Sequence, residues 1–407
     1  METGGAVPLS RGFSGADQAA PLDTNAKFDG HPVSSGAFSE VDKATGEILL
    51  GYDPLLKWEL QNVARRYLGT GHRLAKCHRI RREDSTIQLR VSDEHKKAFY
   101  SGLQTCGLVW LCPVCAPKIQ AVRSAELETA IELAKERGLV VDLVTLTLPH
   151  RKGQTLAELE EVLRRAYRSM RESRGYRDLT KSLGLVGTVA SEEVTWGPET
   201  WWHPHVHLLR FRSEGEISSR GKLVTDDLRL FELWRAAVVR RGWETPKLQG
   251  FSVQDGTHAH GYVQKLGRPE EAFNWKLSDE MARSHTKRGR GERYTPFDFL
   301  RMGATDAEGP WRGLWREYAG VYKGRQQLRW SKGLRERLGV QQMGSDEQIA
   351  ESIGETWSWA RDLTDRDWAV IRRFDARGEL LQLAPHVGRA GVEIYMQQLY
   401  EREKRHG

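Results

Sequence analysis

The chain has 407 residues, of which 39% are hydrophobic and 29% charged, as in an ordinary globular protein large enough for two or three domains. A net charge of +7 favours a polyanionic partner such as nucleic acid, although a merely basic surface gives the same sum. No stretch approaches the roughly 20 apolar residues of a membrane helix, and the first residues lack the pattern of a secretion signal. We therefore expect a cytoplasmic protein with no membrane partner.

The N-terminal part of the chain contains two kinds of sequence. Residues 1–53 are rich in Gly, Ser, Ala and Asp without sustained periodicity, which predicts a disordered tail. The spacing of Leu56, Leu60 and Val63 then predicts a helix. This helix opens the region 54–130, which we interpret as a cysteine (zinc) module with linking helices.

The chain has four cysteines, Cys77, Cys106, Cys112 and Cys115. The pair in "CPVC" forms a CxxC knuckle, and the other two can complete a tetrahedral thiolate site, for which zinc is the usual occupant. His72 and His78 are alternative fourth ligands. Four reduced, buried thiols are the remaining alternative, since a disulfide framework does not suit a cytosolic chain of this size. We assign the predicted zinc site a structural or DNA-contacting role.

From residue 118 onward, helical and strand patterns follow one another. A long amphipathic helix is predicted over 118–138, and the order after it is βαββαβ. The predicted strands are 139–150, 183–197, 201–211 and 248–256, and the predicted helices are 155–175 and 225–242. This order is the split βαβ pattern. The sequence therefore predicts an α+β fold, in which an antiparallel sheet of RRM or ferredoxin-like type carries packed helices.

Three histidines alternate along the predicted strand "WWHPHVHLLRF". Successive side chains of a strand point to opposite faces, so His203, His205 and His207 share one face. Imidazole nitrogens suit divalent transition ions and also tolerate Mn²⁺ or Mg²⁺ when oxygen ligands complete the shell. Histidines without any ligand are the alternative. The run also resembles the His-x-His-x-His motif of the histidine-triad nucleotide hydrolases, in which a histidine attacks phosphate, although those proteins are small.

A tyrosine and a lysine follow the last predicted strand, in "THAHGYVQKLG". On a helix, Tyr262 and Lys265 would share a face. A tyrosine hydroxyl is a weak nucleophile unless it is activated, and a neighbouring cation stabilises its phenolate. A metal-polarised phosphate and an activated tyrosine together suffice to nick DNA through a phosphotyrosyl intermediate. The alternative is an ordinary half-buried tyrosine, one of eleven in the chain.

Three motifs, taken in order, resemble those of the rolling-circle replication initiator (Rep) proteins of plasmids, particularly actinomycete plasmids, which belong to the HUH endonucleases. The stretch "LVTLTLPH" (143–150) resembles the first motif, "EVTWGPETWWHPHVHLLRF" (193–211) the second, and "YVQK" (262–265) the third. The cysteine segment and "GRQQLRWSKGLRERLG" are also similar to this family, so the resemblance covers roughly residues 70–340. It places an HUH endonuclease domain at 131–270, followed by a basic, mainly helical C-terminal region at 271–407.

The resemblance implies an enzyme that nicks one strand at the double-strand origin of a plasmid and then transfers strands. Tyr262 becomes joined to the 5′-phosphate and the free 3′-OH primes synthesis. A second transfer closes the displaced circle. Some relatives with a single catalytic tyrosine carry a glutamate four residues before it, used as a base in termination, where this chain has His258. Because histidine can act as a base near neutrality, we treat His258 as the substitute for that glutamate.

The resemblance also implies a set of metal ligands. His205 and His207 take the ligand positions for Mn²⁺ or Mg²⁺, and the first histidine of the run lies outside the set. The third ligand in such sites is often a carboxylate or histidine on a neighbouring strand. Glu193, on the paired strand, is the predicted third ligand, and Glu192 and His150 are less favoured candidates.

Basic and aromatic residues are the expected contacts to origin DNA, whether single-stranded or in a hairpin. Arg79, Arg81 and Arg82 in "CHRIRRED", and the basic residues of 283–293, can contact phosphates, although most such charges are simply solvated. The tryptophans that could stack on unpaired bases, with core packing as the alternative, are Trp201, Trp202 and Trp330. Helices in the last stretch could recruit a host helicase or only complete the fold.

Three other functions compete with that of an initiator. A histidine-triad hydrolase would act on small nucleotides, form no covalent DNA adduct and need His203. A non-catalytic zinc-containing DNA-binding protein would bind the origin regardless of a Tyr262→Phe substitution. A related transposase would use the same chemistry to move DNA elements.

Overall fold

The computed structural model of the chain describes residues 39–41, 48–50, 55–213, 215–216, 223–257, 293–352 and 357–406. The predicted segment with His258, Tyr262 and Lys265 lies outside these ranges, as does all but the last residue of the basic segment 283–293. Among the described residues, no helix is both long and apolar enough to cross a membrane.

Helices occur along the whole described chain. They are α1 (Leu56–Leu68), α2 (Arg73–Lys76), α3 (Ala116–Glu136), α4 (Leu156–Glu172), α5 (Arg174–Ser182), α6 (Thr225–Val239), α7 (Pro296–Thr305), α8 (Trp311–Tyr322), α9 (Leu334–Leu338), α10 (Asp346–Glu351), α11 (Asp365–Arg373) and α12 (Arg377–His406). The single helix predicted over 155–175 is instead two helices. Ser173 is extended, and its hydroxyl accepts a hydrogen bond from the Tyr176 amide, which starts α5.

The described strands form three antiparallel sheets. They are β1 (Ser39–Val41), β2 (Ile48–Leu50), β3 (Ile87–Ser92), β4 (Lys97–Ser101), β5 (Val140–Thr147), β6 (Leu185–Gly197), β7 (Trp201–Arg212), β8 (Phe251–Asp255), β9 (Leu328–Trp330) and β10 (Trp359–Leu363). β1 pairs with β2 inside the segment predicted as a disordered tail, a pairing that the sequence pattern does not predict.

The central sheet has five strands in the order β8-β5-β7-β6-β9. β5 and β6 each pair antiparallel with β7, so they run parallel to each other with β7 between them. This is the split βαβ arrangement that the sequence predicts, with β9 added at the edge beside β6. The predicted fold class, α+β with antiparallel sheets and a largely helical C-terminal region, is confirmed.

The two faces of the central sheet are covered differently. Val144, Val206 and Leu208 point to one face and pack in a core with α4, α5 and α6. Leu209 and Phe211 point to the other face and pack with α3 and α9. His203, His205 and His207 precede Leu209 on this second face. They therefore lie at the edge of the area that α3 and α9 cover.

A three-stranded sheet, in the order β10-β3-β4, connects the C-terminal region with the cysteine region. Trp359 of β10 pairs with Val91 of β3, although the two are far apart in the sequence. α11 and α12 pack on this sheet through a shared apolar core. Another core contains the four cysteines together with Val194 and Trp202 of the β6–β7 hairpin, so the cysteine region and the histidine hairpin share one apolar interior.

Candidate metal centre

Strand register brings the histidines together with residues of β5 and β6. His207 lies opposite Thr145 on one side and Ser191 on the other. His205 lies opposite Thr147 and Glu193. Because side chains alternate along each strand, these residues all face the same side of the sheet. Pro204, which has no amide hydrogen to donate, lies one residue beyond the last pairing of β7 with β5.

Glu193, His205 and His207 form a triad whose ligand atoms all lie within 4.8 Å of one another. The Glu193 Oε2 atom is 2.8 Å from His207 Nε2 and 3.2 Å from His205 Nε2. Neighbouring ligands of an octahedral ion at about 2.1 Å are about 3.0 Å apart. The spacing of the triad therefore fits a small divalent ion held by two imidazoles and one carboxylate.

Hydrogen bonds fix the ring nitrogen that each histidine presents. His205 Nδ1 lies 3.3 Å from the carbonyl oxygen of His203, which can only accept, so this nitrogen donates. His207 Nδ1 lies 3.1 Å from the Thr145 hydroxyl. Both Nδ1 atoms are thereby engaged, and both Nε2 atoms face Glu193, as metal-binding histidines require.

The electrostatics of the triad favour a charged carboxylate. Burial alone would raise the pKa of Glu193, but His205 and His207 beside it hold this pKa well below its usual range. Burial would likewise lower the pKa of His205, and the charge and hydrogen bond of Glu193 raise it above the ordinary value. A metal ion needs deprotonated ligands, so a cation at this site would compete with protons.

The other candidate ligands point elsewhere. His203 Nδ1 lies 3.4 Å from His150 Nδ1, and burial together with the neighbouring histidines lowers the pKa of His203 to about 3. Glu192 points to the opposite face of the sheet, where it is 1% exposed and pairs with Arg325 at 2.8 Å and with Arg329. Neither Glu192 nor His150 belongs to the triad.

The triad is open to solvent on one side. The Glu193 side chain is 31% exposed, whereas those of His205 and His207 are 11% and 12% exposed. A metal site that performs chemistry must leave ligand positions for its substrate. This geometry suits such a site, because the described residues supply three ligand groups, fewer than a divalent ion of this kind binds.

The four cysteine sulfurs converge in the core. Cys77 ends α2 and Cys115 precedes α3, while Cys106 and Cys112 lie in the connection between β4 and α3. The sulfur of Cys77 is 3.7 Å from that of Cys112 and 3.4 Å from that of Cys115. Ligands of a tetrahedral zinc–thiolate site, with bonds of about 2.3 Å, lie about 3.8 Å apart. The sulfurs therefore fit one tetrahedral ion.

The two histidines considered as alternative fourth ligands are outside this cluster. His72 caps α2, since its Nδ1 accepts a hydrogen bond from the Leu74 amide. His78 lies beside Trp58, with the ring centroids 5.6 Å apart. The group with metal-binding spacing here consists of the four cysteines alone.

The predicted DNA-contacting arginines have partners within the chain. Arg79 donates to Asn62 at 3.2 Å, Arg81 lies 3.6 Å from Asp365, and Arg82 pairs with Glu351. The side chains of Arg81 and Arg82 are about half exposed, so phosphate contact stays a prediction for them, whereas that of Arg79 is 14% exposed. The exposed ion pairs of Arg81 and Arg82 contribute little to stability.

The three tryptophans considered for base stacking lie in different surroundings. Trp202 is buried in the core against Phe299, and Trp330 lies under the Arg335 guanidinium. Trp201 is half-buried and starts β7 with φ of 58°. This left-handed conformation is uncommon for a bulky side chain and normally favours glycine or asparagine. Trp201 is therefore the best placed of the three for a role outside the core.

Comparisons with known proteins agree with this geometry. Residues 101–242 match the family described as "Replication protein". This range holds the triad and three of the four cysteines. The predicted resemblance to Rep proteins of actinomycete type is confirmed. Tyr262 lies beyond the matched range.

Two similar proteins come from Streptomyces. The chain is 29% identical to "Protein rep" of Streptomyces lividans over 296 residues, which are 59% of this chain and 64% of that protein. It is 30% identical to "Neomycin resistance protein" of Streptomyces cyanogenus over 142 residues, or 28% of this chain and 32% of that protein. The matches thus span less than two thirds of either relative. No solved structure matches the chain.

The structure also identifies residues that the sequence motifs did not single out. Thr145 and Thr147 of "TLT" both face the histidines, and Thr145 contacts one of them. Because Thr145 and Thr147 alternate along a predicted strand, the sequence could have placed both on one face of the sheet.

Proposed function

We propose that the chain is a replication initiator that nicks one strand of plasmid origin DNA through a phosphotyrosyl intermediate. The observation that carries this proposal is the triad of Glu193, His205 and His207 on the open part of the central sheet. The similarity to replication proteins over residues 101–242 supports the same function. The proposed partner is the origin DNA, as single strand or hairpin.

A divalent ion such as Mn²⁺ or Mg²⁺, when bound by the triad, supplies Lewis-acid polarisation of the scissile phosphate. Glu193 contributes the negative charge of the site, and the two histidines contribute neutral nitrogens through Nε2. The hydrogen bonds at Nδ1 hold both rings in this orientation before DNA arrives. The chain thus supplies a preorganised ligand set.

The length of chain after β8 permits Tyr262 to reach the triad. Ser252 of β8 is level with Thr145 and His207, and Asp255 lies three positions further along. The path from Asp255 to His207 crosses two strand spacings, from β8 over β5 to β7, and runs back three residues along the strands. Its length is about 14 Å. The seven residues from Asp255 to Tyr262 can span about 24 Å when extended.

In the proposed reaction the Tyr262 hydroxyl oxygen attacks phosphorus and releases its proton to solvent. His258 is the proposed base for the later strand-joining step. The bond from phosphorus to the 3′-oxygen breaks, and that oxygen leaves as the free 3′-OH once protonated. Lys265 stabilises the phenolate. Attack by a later 3′-OH on the phosphotyrosyl bond reverses these steps and rejoins the strand.

For the cysteine cluster we propose a structural Zn²⁺. The sulfur spacing, complete burial and four-thiolate composition support this choice. Such an ion would join α2, the segment after β4 and the start of α3 into one unit. Its role is to hold the fold, since a closed four-ligand site leaves no position for substrate.

The histidine-triad hydrolase is the less favoured candidate. In that enzyme class all three alternating histidines matter, whereas His203 here faces His150 and lies outside the ligand set. A purely DNA-binding role would leave the Glu193 carboxylate and both Nε2 atoms converging on one point without a use.

The test is a denaturing gel of the purified protein incubated with Mn²⁺ and labelled single-stranded oligonucleotides tiled over the origin. We expect a covalent protein–DNA band that is lost with Tyr262→Phe and with EDTA, but retained with Tyr294→Phe. Retention of the band in Tyr262→Phe would contradict the assigned nucleophile. No adduct with any oligonucleotide, together with hydrolysis of small nucleotides, would instead favour the histidine-triad alternative.

A further inference from the structure

A buried arginine at the start of α12 lies beside the cysteine cluster. Arg377 is fully buried, and its side chain is held mainly by residues of α1. Its guanidinium also stacks on the Trp58 ring, with 4.9 Å to the ring centroid. A buried guanidinium carries a large desolvation cost, so its position is set by the partners that compensate it.

Gln61 links this arginine to the sulfurs. Arg377 Nη1 donates to Gln61 Oε1 at 2.8 Å. The Gln61 amide nitrogen in turn donates to Cys112 Sγ at 3.7 Å and to the carbonyl oxygen of Cys77 at 3.3 Å. Gln61 is 1% exposed, so it cannot exchange these partners for solvent.

The chemistry of the three groups fixes the direction of the chain of hydrogen bonds. A guanidinium has donors only, so the Gln61 oxygen must face Arg377. The amide NH₂ must then face the cysteines, where a metal-bound sulfur is the natural acceptor. Without Arg377, the amide could turn its oxygen toward the sulfurs, and that oxygen would repel them.

The same arginine connects several elements. Arg377 Nη1 also donates to the carbonyl oxygen of His78, next to Cys77, at 3.2 Å. Arg377 Nη2 donates to Asn62 Oδ1 at 3.0 Å and lies 3.1 Å from Asp375. The carbonyl oxygen of Arg377 accepts a hydrogen bond from Tyr100 at 3.0 Å. The first turn of α12 therefore joins α1, β4 and the cysteine cluster.

We infer that Arg377 is a positioning residue of the cysteine metal centre, which orients the Gln61 amide toward Cys112 and ties the C-terminal helix to the bound ion. The two partners act in series, Arg377 on Gln61 and Gln61 on the sulfur. Partners in this outer position typically change metal affinity by about 10- to 100-fold. The C-terminal region thereby gains a role in retaining the metal.

The inference rests on the proposed zinc at the cysteine cluster, so the zinc content of the wild-type protein is measured first. Absence of zinc from wild type would reject the zinc proposal itself. With zinc present, the rate of zinc release to a chromogenic chelator is measured for Arg377→Met, Gln61→Leu and the double variant. The matched control is Arg373→Met, because Arg373 holds the far end of α12 through Glu403 and the His406 carbonyl oxygen.

We expect Arg377→Met and Gln61→Leu each to accelerate zinc release about 10- to 100-fold, and Arg373→Met to leave it unchanged. Because Arg377 acts on Cys112 through Gln61, the double variant should release zinc more slowly than the product of the two single effects predicts. With Co²⁺ in place of zinc, loss of the N–H···S bond should shift the thiolate-to-metal charge-transfer band to lower energy.

Three results would overturn the inference. They are zinc release at the wild-type rate in Arg377→Met, additive effects in the double variant, and an unchanged Co²⁺ band in Gln61→Leu. If Arg377→Met does not fold, Arg377→Lys keeps the charge but replaces the two guanidinium nitrogens that contact Gln61 and Asn62 by a single one. Faster zinc release in Arg377→Lys than in Arg373→Lys would then support the inference, and equal rates would reject it.

Discussion

The cysteine cluster and the histidine triad both have the spacing of a metal site, but their surroundings differ. None of the four cysteines is more than 2% exposed, whereas the Glu193 side chain is 31% exposed. The cysteines offer four sulfurs, enough for a closed tetrahedral site, whereas the triad offers one carboxylate and two imidazole nitrogens. This difference supports the proposal of a structural metal at the cysteines and of a substrate-facing metal at the triad.

The cysteine cluster and the hairpin that carries the triad share one apolar core, so a change at one site can affect the other. Val194 and Trp202, on the hairpin that carries the triad, pack in the same core as the cysteines. Loss of the cysteine metal should therefore disturb the triad, whereas loss of the triad metal should leave the cysteines intact. Substitutions at each site test this expected difference between the two metals.

The largest effect is expected for Cys112→Ser. Structural zinc contributes about 10–16 kcal/mol in small zinc modules, comparable with the about 5–15 kcal/mol that keeps a typical domain folded. We expect loss of bound zinc and of the cooperative thermal transition, measured by metal analysis and calorimetry. A Cys112→Ser protein with the wild-type melting temperature would contradict a structural role for the cluster.

A large effect on activity without loss of the fold is expected for His207→Ala. Removing a ligand deprives the reaction of metal polarisation, worth about 4 kcal/mol, or about a thousandfold in rate. We expect covalent adduct formation to fall by that factor while the melting temperature stays close to wild type. His203→Ala is the control, since it should leave Mn²⁺ affinity unchanged. Normal nicking by His207→Ala would remove the triad from the mechanism.

A moderate effect is expected for Thr145→Val. This substitution removes the hydroxyl next to His207 Nδ1 at nearly constant volume. We expect Mn²⁺ affinity, measured by calorimetric titration, to fall about 10- to 100-fold. Thr147→Val is the matched control, because the Thr147 hydroxyl donates its hydrogen bond to the Gly250 carbonyl oxygen at 2.7 Å and not to a histidine. Equal affinities for the two variants would show that Thr145 does not orient its histidine.

The smallest effect is expected for Trp201→Ala. Stacking of one base on an aromatic ring contributes about 1–3 kcal/mol, so we expect affinity for a single-stranded origin oligonucleotide to fall about tenfold. Trp357→Ala is the control, because Trp357 is exposed and lies next to Arg90 of the three-stranded sheet. Fluorescence anisotropy measures both. If the two substitutions have the same effect, Trp201 does not contact DNA.

Residue patterns within short stretches of the sequence predicted the strands, the helices and the residues that share a face of a strand. Alternation placed His205 and His207 on one face, and the βαββαβ order gave the central sheet. The proximity of Glu193 to both histidines followed from expecting β6 and β7 to form a hairpin. The CxxC spacing in the same way indicated a cysteine cluster, and the structure brings together the four cysteines predicted for it.

Long-range pairings could not be predicted in this way. β10 pairs with β3 across more than half of the chain, and no local signal names such a partner. The contact of Arg377 with Gln61 depends on two helices that are adjacent only after folding. The sequence already favoured Glu193 over Glu192 as the third ligand, whereas the ion pairs of Glu192 with Arg325 and Arg329 follow only from the folded structure.

The central claim concerns which residue becomes joined to DNA, and under which metal condition. The most direct measurement is mass spectrometry of the peptide that carries DNA, after incubation of wild type with an origin oligonucleotide and Mn²⁺. We predict that the nucleotide is attached to Tyr262 and that the adduct disappears in His207→Ala, although this variant remains folded with its zinc. Attachment to another tyrosine, or an adduct of wild-type yield in His207→Ala, would contradict the proposed division between a catalytic triad and a structural cluster.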